Sequence, residues 1–393
     1  MRIVVFNVKY SPNLGDGLLS ECLEEELRSC GGDVSVVTVD IAGRTDYGAS
    51  GRNRRALLRI LEALPQTVRR SIAQIVLRRL VARHVLPAAR RELHQADAAV
   101  LGGGNLIADA DLNFPIKVAA VMRASAEANV PAAVFGVGVS DGWSAQGSRL
   151  FVGAFTHRPL IHAAVRDQRS QAIWDRNLTS RGARAASLCR DPGLLTVRHF
   201  PVAHGARDDV ALCLTDPLLL RYHGARNVGA ELDTWMVTLA EDLTRSGRRV
   251  TLFTNGSSED RAYLERLTPR FQAACGKAVS VAPHFDTPGD LARFIGGCAL
   301  VIAHRMHACI AAYSYGVPNI GLAWDVKLDS FFASVERSDF MIDPATTPGV
   351  DAAALARRAL AEGIDPAKRE AVIAQARADV AQTCDSLRAA TSR

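Results

Sequence analysis

The sequence predicts an α/β protein with two doubly wound, Rossmann-like domains, and two observations carry this prediction. In the first half of the 393 residues, short apolar runs alternate with segments whose apolar residues recur every three or four positions. The alternation resumes after residues 197–208, where proline, glycine and polar residues cluster. Such alternation is typical of parallel sheets with helices on both faces. We therefore expect domains over 1–200 and 201–393, facing one another across a ligand cleft.

Each predicted strand is a short apolar run, and each predicted helix is marked by an apolar stripe. The predicted strands are 3–7, 34–39, 98–101, 132–137, 163–165, 210–214, 249–253, 279–282, 300–303 and 319–322. The predicted helices include 18–27, 115–128, 232–246 and 260–267, together with one that begins near Ser170. An apolar stripe at helical spacing predicts a closing C-terminal helix and consists of Ile373, Ala376, Val380, Cys384 and Leu387.

The composition excludes several classes of protein. With 48% hydrophobic residues and apolar runs throughout, the chain is not expected to be disordered. The longest uncharged stretch, 308–324, is interrupted by Gly316 and Pro318, and Met1 leads directly into a strand. We therefore expect neither a membrane span nor a signal peptide. Eight scattered cysteines without a Cys-x-x-Cys pair are typical of reduced thiols in a cytoplasmic protein.

Residues 51–92 form a basic insertion in the first domain. They contain eleven arginines and two glutamates, a net charge of +9, interleaved with apolar residues. This pattern predicts basic amphipathic helices, broken at Pro65 and Pro87, that lie on an anionic membrane surface, where each arginine contributes ~1 kcal/mol. The alternative is an apolar stripe packed on the domain with the arginines facing water. Nucleic acid is not an expected partner, because no aromatic interleaving or nucleic-acid motif accompanies the charge.

The strongest candidate site combines Arg305, His307 and Lys327. The first two follow the strand 300–303 and open a helix, where free backbone N–H groups and the helix dipole favour an anion. Lys327 follows the next strand, so its ammonium could reach the same place. Three cationic side chains at one helix end suit a substrate that carries phosphate and carboxylate groups. The alternative interpretation is a solvated basic loop beside a buried histidine.

Further candidates lie in the connections that follow the strands of the first domain. Asp16, in the turn that Asn13 opens, either caps the first helix or points into the cleft, where it could bind or deprotonate a sugar hydroxyl. The run Gly103, Gly104 and Asn105 allows a ligand to approach the backbone closely, although turns use glycine too. Arg166 pairs with its neighbour Asp167, which is the role we favour, or lines the ligand site. The candidate substrate-binding residues are Asn13, Gly103, Gly104, Asn105, Arg166, Arg305 and Lys327.

Several established motifs are missing from the sequence. It contains no G-x-G-x-x-G fingerprint, no G-x-x-x-x-G-K-[ST] phosphate loop, no H-E-x-x-H pair and no G-x-S-x-G elbow. We therefore expect no metal and no bound cofactor.

Taken in order, the motifs resemble those of the polysaccharide pyruvyl transferase family. The resemblance runs from about residue 3 to 335 and rests on Asn13–Asp16, Leu101–Asn105, Phe135–Val139, Val165–Ser170, Asp191–Pro192, Arg305–His307, Gly316–Pro318 and Trp324–Lys327. It implies a GT-B-like fold and the transfer of pyruvate from phosphoenolpyruvate to a sugar as a cyclic ketal. It leaves the insertion 51–92 unexplained.

The resemblance also implies roles for the candidate residues. His307 would act as general acid and base, and Asp16 would orient or deprotonate the acceptor. Arg305 and Lys327 would hold the phosphate and carboxylate groups of phosphoenolpyruvate, which is a donor substrate rather than a cofactor. The acceptor would be a glycan or a lipid-linked glycan, which predicts a cytoplasmic enzyme that docks peripherally on the inner membrane.

Two other functions are compatible with the sequence. A GT-B glycosyltransferase would share the architecture and the cationic site but would bind a sugar nucleotide and ignore phosphoenolpyruvate. A non-catalytic scaffold of polysaccharide assembly, docked on the membrane, would keep the basic helices and bind neither donor.

Overall fold

The computed structural model describes residues 1–48, 66–156, 160–203, 205, 207–217 and 230–392. The chain divides into two compact units. The first unit consists of Met1–Ser11, Leu19–Leu195 and Ala374–Arg393, and the second consists of Pro12–Leu18 and Thr196–Ile373. The chain passes from the first unit to the second between residues 195 and 196. In addition, Pro12–Leu18 belongs to the second unit, and Ala374–Arg393 belongs to the first.

The first unit is built on a six-stranded sheet in which every pair of neighbouring strands is parallel. Its strands are β1 (Arg2–Asn7), β2 (Ser35–Asp40), β3 (Ala98–Gly102), β4 (Ala132–Val137), β5 (Leu160–Val165) and β6 (Ser187–Leu188). They lie in the order β2-β1-β3-β4-β5-β6. Every residue of β3 and β4 is buried, because helices cover both faces of the sheet.

Seven helices among the described residues have all or most of their length in this unit. They are α1 (Leu14–Arg28), α2 (Gln66–Leu80), α3 (Leu86–Leu93), α4 (Asn113–Glu127), α5 (Ala145–Thr156), α6 (Gln168–Asn177) and, near the C-terminus, α14 (Pro366–Thr391). The sequence explains where α6 begins: Asp167 is its N-cap and accepts a hydrogen bond from the Ser170 N–H. The aromatic rings of Phe155 and Trp174 pack in the core with their centroids 5.1 Å apart.

The basic insertion is partly described. Residues 51–65 lie outside the described residues, as does the expected break at Pro65, whereas α2 and α3 cover most of the rest. The expected break at Pro87 is wrong. A π-helical turn, Val81–Val85, joins α2 to α3, and Pro87 enters immediately after it, within the first two positions of α3, where no intrahelical N–H is needed.

The side chains of this insertion include exposed apolar residues. Ile72, Ile75 and Val76 are exposed on α2, while Val85 and Leu93 are buried. Among the described residues, none of the helices combines the length and the apolar character that crossing a bilayer requires. Docking of the insertion on an anionic membrane stays a prediction.

The second unit has a second six-stranded parallel sheet. Its strands are β7 (Asp209–Cys213), β8 (Arg249–Phe253), β9 (Val279–Val281), β10 (Leu300–Ala303), β11 (Asn319–Leu322) and β12 (Met341–Ile342), in the order β12-β11-β10-β7-β8-β9. Its helices are α7 (Thr196–His199), α8 (Ala230–Arg245), α9 (Ser258–Cys275), α10 (Pro288–Gly296), α11 (Met306–Ser314), α12 (Val326–Ser334) and α13 (Gly349–Glu362).

The α/β class with a parallel sheet in each half is confirmed, and the predicted strands are all present. The sequence does not predict the strands β6 and β12, because each has only two residues. In the second unit, Ala303, Cys213 and Phe253 lie in register across β10, β7 and β8. The loops that follow these three strands therefore leave the sheet at the same edge.

A buried lysine in the first unit has a measurable consequence for stability. Lys117 on α4 is 5% exposed, and its ammonium lies 5.8 Å from the centroid of the Phe114 ring. The nearby Asp40 carboxylate already accepts hydrogen bonds from Arg44 and from the N–H groups of Tyr10 and Ala42. Burial, and then the charge of Arg44, lower the pKa of Lys117 from 10.5 to about 8, against a smaller opposing effect of Asp40.

We expect Lys117→Met to stabilise the protein at pH 7. The lowered pKa means that the folded state disfavours the ammonium, so the penalty is fully present below pH 8 and fades as the pH approaches 10.5. The gain at pH 7 is on the order of 3 kcal/mol. Urea unfolding at pH 7 and at pH 10.5 measures this difference in stability. The exposed Lys277→Met serves as the control. A variant no more stable than the wild type at pH 7 would contradict the argument.

Candidate active site

The site in the second unit is built around the start of α11. β10 is buried throughout, and the chain leaves it through His304 to Arg305, the N-cap residue of α11. His307 follows in the first turn of the helix. Its Nδ1 lies 3.6 Å from Oδ1 of Asp16, in the first turn of α1. The structure thus brings together the two residues predicted to be catalytic, which are 291 positions apart in the chain (307 minus 16).

Gly15 permits this close approach. A Cβ atom at residue 15 would lie 2.7 Å from Cβ of His307, a distance that no real contact allows. The turn itself is shaped by Asn13, whose Oδ1 accepts a hydrogen bond from the Gly15 N–H. The Leu14 N–H donates to the carbonyl of Asn255 after β8, which ties this turn to the sheet of the second unit. Asn13 therefore has a structural role, and its contact with substrate stays a prediction.

Arg305 is fixed by a carboxylate that the sequence did not reveal. Its Nη2 donates a hydrogen bond to Oδ2 of Asp260 in the first turn of α9, and Oδ1 of the same carboxylate accepts from the Asp216 N–H. Burial acts to lower the pKa of Arg305, but the attraction of Asp260 outweighs it and the pKa is raised. Arg305 is therefore a permanent cation held in one position.

Lys327 lies at the carboxyl end of β11, the strand next to β10. Its ammonium is 2.8 Å from Oδ2 of Asp325, and the other oxygen of that carboxylate accepts from the Lys327 N–H at the start of α12. Lys327 is thus at the expected edge of the sheet, but its ammonium forms an ion pair with Asp325. Its contact with a substrate stays a prediction.

The remaining candidates form a separate cluster in the first unit. Gly103 and Gly104 have φ of +75° and +76°, which favours glycine at both positions, and a Cβ on Gly103 would lie 2.1 Å from Leu19. Close packing against α1 therefore accounts for Gly103. The Asn105 Nδ2 donates to Ser140 Oγ at 3.0 Å.

Arg166 is buried in this same cluster. It makes the expected ion pair with Asp167, and a second with Asp191, each at 3.6 Å. Gly138 leaves room for it, because a Cβ there would lie 2.6 Å from both Arg166 Nη2 and Asn105 Oδ1. Within the described residues, Nε and Nη2 of Arg166 have no hydrogen-bond partner. Both roles considered for Arg166 remain compatible with this geometry.

The comparison with known families decides which family the chain represents. A family model described as polysaccharide pyruvyl transferase matches residues 13–326, well over half of the chain. The chain belongs to the polysaccharide pyruvyl transferase family. Membership supports a transferase that modifies polysaccharides. No curated protein matches the sequence.

Solved structures resemble this chain in fold. A putative UDP-N-acetylglucosamine 2-epimerase from Listeria monocytogenes aligns with a TM-score of 0.55 and 10% identity, covering 95% of this chain and 91% of its own. The UDP-GlcNAc 2-epimerase from Methanocaldococcus jannaschii aligns with a TM-score of 0.50 and 9% identity, covering 90% and 91%. At such identities the likeness shows the fold alone, and it confirms the expected GT-B-like fold class.

The sequence singles out Arg305 and His307 at the start of α11 as candidates, and it gives no sign of the residues that follow the neighbouring strands. Asp260 was passed over, although Ser257 three residues earlier is a cap signal for α9. That signal marks the start of a helix but says nothing of a partner 45 residues away. Thr215 and Asn255, which follow β7 and β8, gave no signal because single polar residues after strands are common.

Proposed function

We propose that this pyruvyl transferase moves pyruvate from phosphoenolpyruvate to two hydroxyls of one sugar and forms a cyclic ketal. The observation that carries the proposal is the contact between His307 and Asp16, 3.6 Å apart, next to the fixed cation Arg305. Phosphoenolpyruvate is an enol that carries a phosphate and a carboxylate. Its reaction requires a proton donor, a carboxylate and a permanent positive charge.

The proposed reaction needs one general acid and one anion site. His307, as an imidazolium stabilised by Asp16, protonates the methylene carbon of phosphoenolpyruvate and makes its C2 electrophilic. One sugar hydroxyl adds to C2 and gives its proton to a base, for which Asp16 or the imidazole is suited. Phosphate then leaves with the electrons of the bond between C2 and oxygen. The second hydroxyl adds to C2 and closes the ring, and its proton goes to the released phosphate. Phosphoenolpyruvate and a diol become a ketal and inorganic phosphate, with no oxidant or reductant.

Arg305 has the electrostatic role in this proposal. Charge grows on the phosphate as its bond to C2 breaks, and a guanidinium already held by Asp260 needs no reorganisation to stabilise that charge. The dipole of α11, which begins after the N-cap Arg305, adds to the same field.

We extend the proposal to a lipid-linked acceptor. The exposed Ile72, Ile75 and Val76 on α2, in a segment rich in arginine, support contact with an anionic membrane on which such acceptors are carried. The acceptor panel below therefore contains lipid-linked sugars with and without anionic vesicles.

The test measures phosphate release from phosphoenolpyruvate by the purified protein with a panel of lipid-linked and aryl glycosides. We expect release that depends on the acceptor and is lost in Arg305→Ala, whereas the exposed Arg245→Ala keeps it. Absence of release, combined with calorimetric binding of a sugar nucleotide and none of phosphoenolpyruvate, would instead establish the glycosyltransferase alternative.

A further inference from the structure

Three neighbouring strand ends in the second unit place polar side chains in a row. Ala303, Cys213 and Phe253 are register partners, and Arg305, Thr215 and Asn255 each stand two residues beyond one of them. Adjacent strands are about 4.8 Å apart, so the three positions span a short strip along the carboxyl edge of the sheet. Ligands of open α/β sheets bind at this edge.

The three side chains share a second property, which is that each has an unsatisfied polar atom. Thr215 is 1% exposed and Asn255 is fully buried. Thr215 Oγ1, Asn255 Nδ2 and Arg305 Nε are all buried and have no hydrogen-bond partner in the described part of the chain. Buried polar atoms in native proteins are nearly always paired, so three such atoms on one strip point to a ligand-binding site.

The chemistry of these atoms defines that ligand. Arg305 Nε and Asn255 Nδ2 can only donate hydrogen bonds, and the Thr215 hydroxyl can donate as well. The neighbouring His304 is 2% exposed, and burial and then the charge of Arg305 lower its pKa to about 3, so its imidazole is neutral. The carboxylate of Asp260 is already engaged by Arg305 and by the Asp216 N–H. The unpaired atoms at positions 215, 255 and 305 are therefore all able to donate a hydrogen bond.

We propose that Thr215, Asn255 and Arg305 form an oxyanion pocket that binds the phosphate group of the donor. A phosphate presents three charged oxygens, one for each donor, whereas a carboxylate presents two. This assignment of the donor group rests on the proposed function, but the pocket itself requires only a phosphate. The proposal also distinguishes Arg305 from Lys327, since Arg305 binds the phosphate group and Lys327 does not.

The test compares ligand binding by the wild type, Thr215→Val and Asn255→Asp. Valine removes only the hydroxyl, and aspartate replaces a donor by a group that repels anions. Because a hydrogen bond to a charged group contributes strongly, we expect inorganic phosphate and phosphoenolpyruvate to bind about 10-fold or more weakly to each variant. Calorimetry measures the affinity, and a thermal shift measures the stabilisation by the ligand.

The same experiment separates a binding role from a structural one. The Thr215 hydroxyl has no hydrogen-bond partner among the described residues, so we expect Thr215→Val to keep or raise the Tm of the ligand-free protein and to lose the rise that phosphate causes. The control Thr251→Val, on β8, loses hydroxyl contacts with Asp209 and Ser280, which lowers the Tm but leaves phosphate affinity unchanged.

Two outcomes would overturn the pocket: variants that bind inorganic phosphate as the wild type does, or a wild type that binds neither inorganic phosphate nor phosphoenolpyruvate. If inorganic phosphate or uridine diphosphate binds in a way that needs Thr215 while phosphoenolpyruvate does not bind, the pocket stands and the proposed pyruvyl donor fails.

Discussion

Replacing His307 with glutamine is expected to slow acceptor-dependent phosphate release by about 10²–10⁴-fold while the protein stays folded. Glutamine occupies a similar volume and can hydrogen-bond to Asp16, but it cannot transfer a proton. The loss should fall on kcat, because proton transfer occurs in the chemical step and not in donor binding. Steady-state phosphate release at saturating phosphoenolpyruvate measures it.

The control for this prediction is His284→Gln, since His284 is an exposed histidine of the same unit. It should keep wild-type turnover. An intact His307→Gln variant with near-normal kcat would show that His307 is not the acid. A variant with unchanged kcat and raised KM would instead give His307 a role in binding.

Replacing Asp16 with asparagine distinguishes the role of Asp16 from that of His307 in the same assay. If Asp16 acts by stabilising the imidazolium, Asp16→Asn loses less of the wild-type kcat than His307→Gln does. The double variant is then no slower than His307→Gln alone. Independent roles would make the two losses multiply.

The sequence predicts the secondary structure around Arg305 and His307 well because the signals there are local. A buried run at 300–303 that ends in His304 and Arg305 marks a strand that leads into a helix, and the structure has both elements with β10 bounded as predicted. The same holds for the start of α1, where Asn13 and Asp16 mark a turn and a helix. Each of these features depends on neighbours within a few positions.

Contacts between distant residues are the part that the sequence does not reveal. Asp260 meets Arg305 across 45 positions, and Asp191 meets Arg166 because β5 ends beside the segment that follows β6. The periodicity around Lys117 marks a helix but does not tell which face is buried deeply enough to lower its pKa. The break expected at Pro87 is wrong for a related reason, because the sequence pattern of a π-helical turn does not differ from that of a break.

Replacing Asp260 with asparagine should destabilise the ligand-free protein by about 3–5 kcal/mol. Asp260 is fully buried, and neutralising it removes the carboxylate that pairs with the largely buried Arg305 guanidinium. Asparagine still offers an oxygen to the Asp216 N–H, so the effect reports mainly on the charge. Urea unfolding measures it, with Glu362→Gln as the control, whose exposed pair with Arg358 contributes under about 0.5 kcal/mol.

The same variant tests whether Arg305 faces a phosphate site. An arginine that has lost its carboxylate gains more from a bound anion, so inorganic phosphate should raise the Tm of Asp260→Asn more than that of the wild type. Phosphate would then recover part of the lost stability by binding the folded state alone. The variant Arg305→Met should show no phosphate effect and less destabilisation when combined with Asp260→Asn than the sum of the two, since it leaves no unpaired cation. Equal phosphate effects in the wild type and Asp260→Asn would mean that Asp260 positions Arg305 for packing and not for an anion.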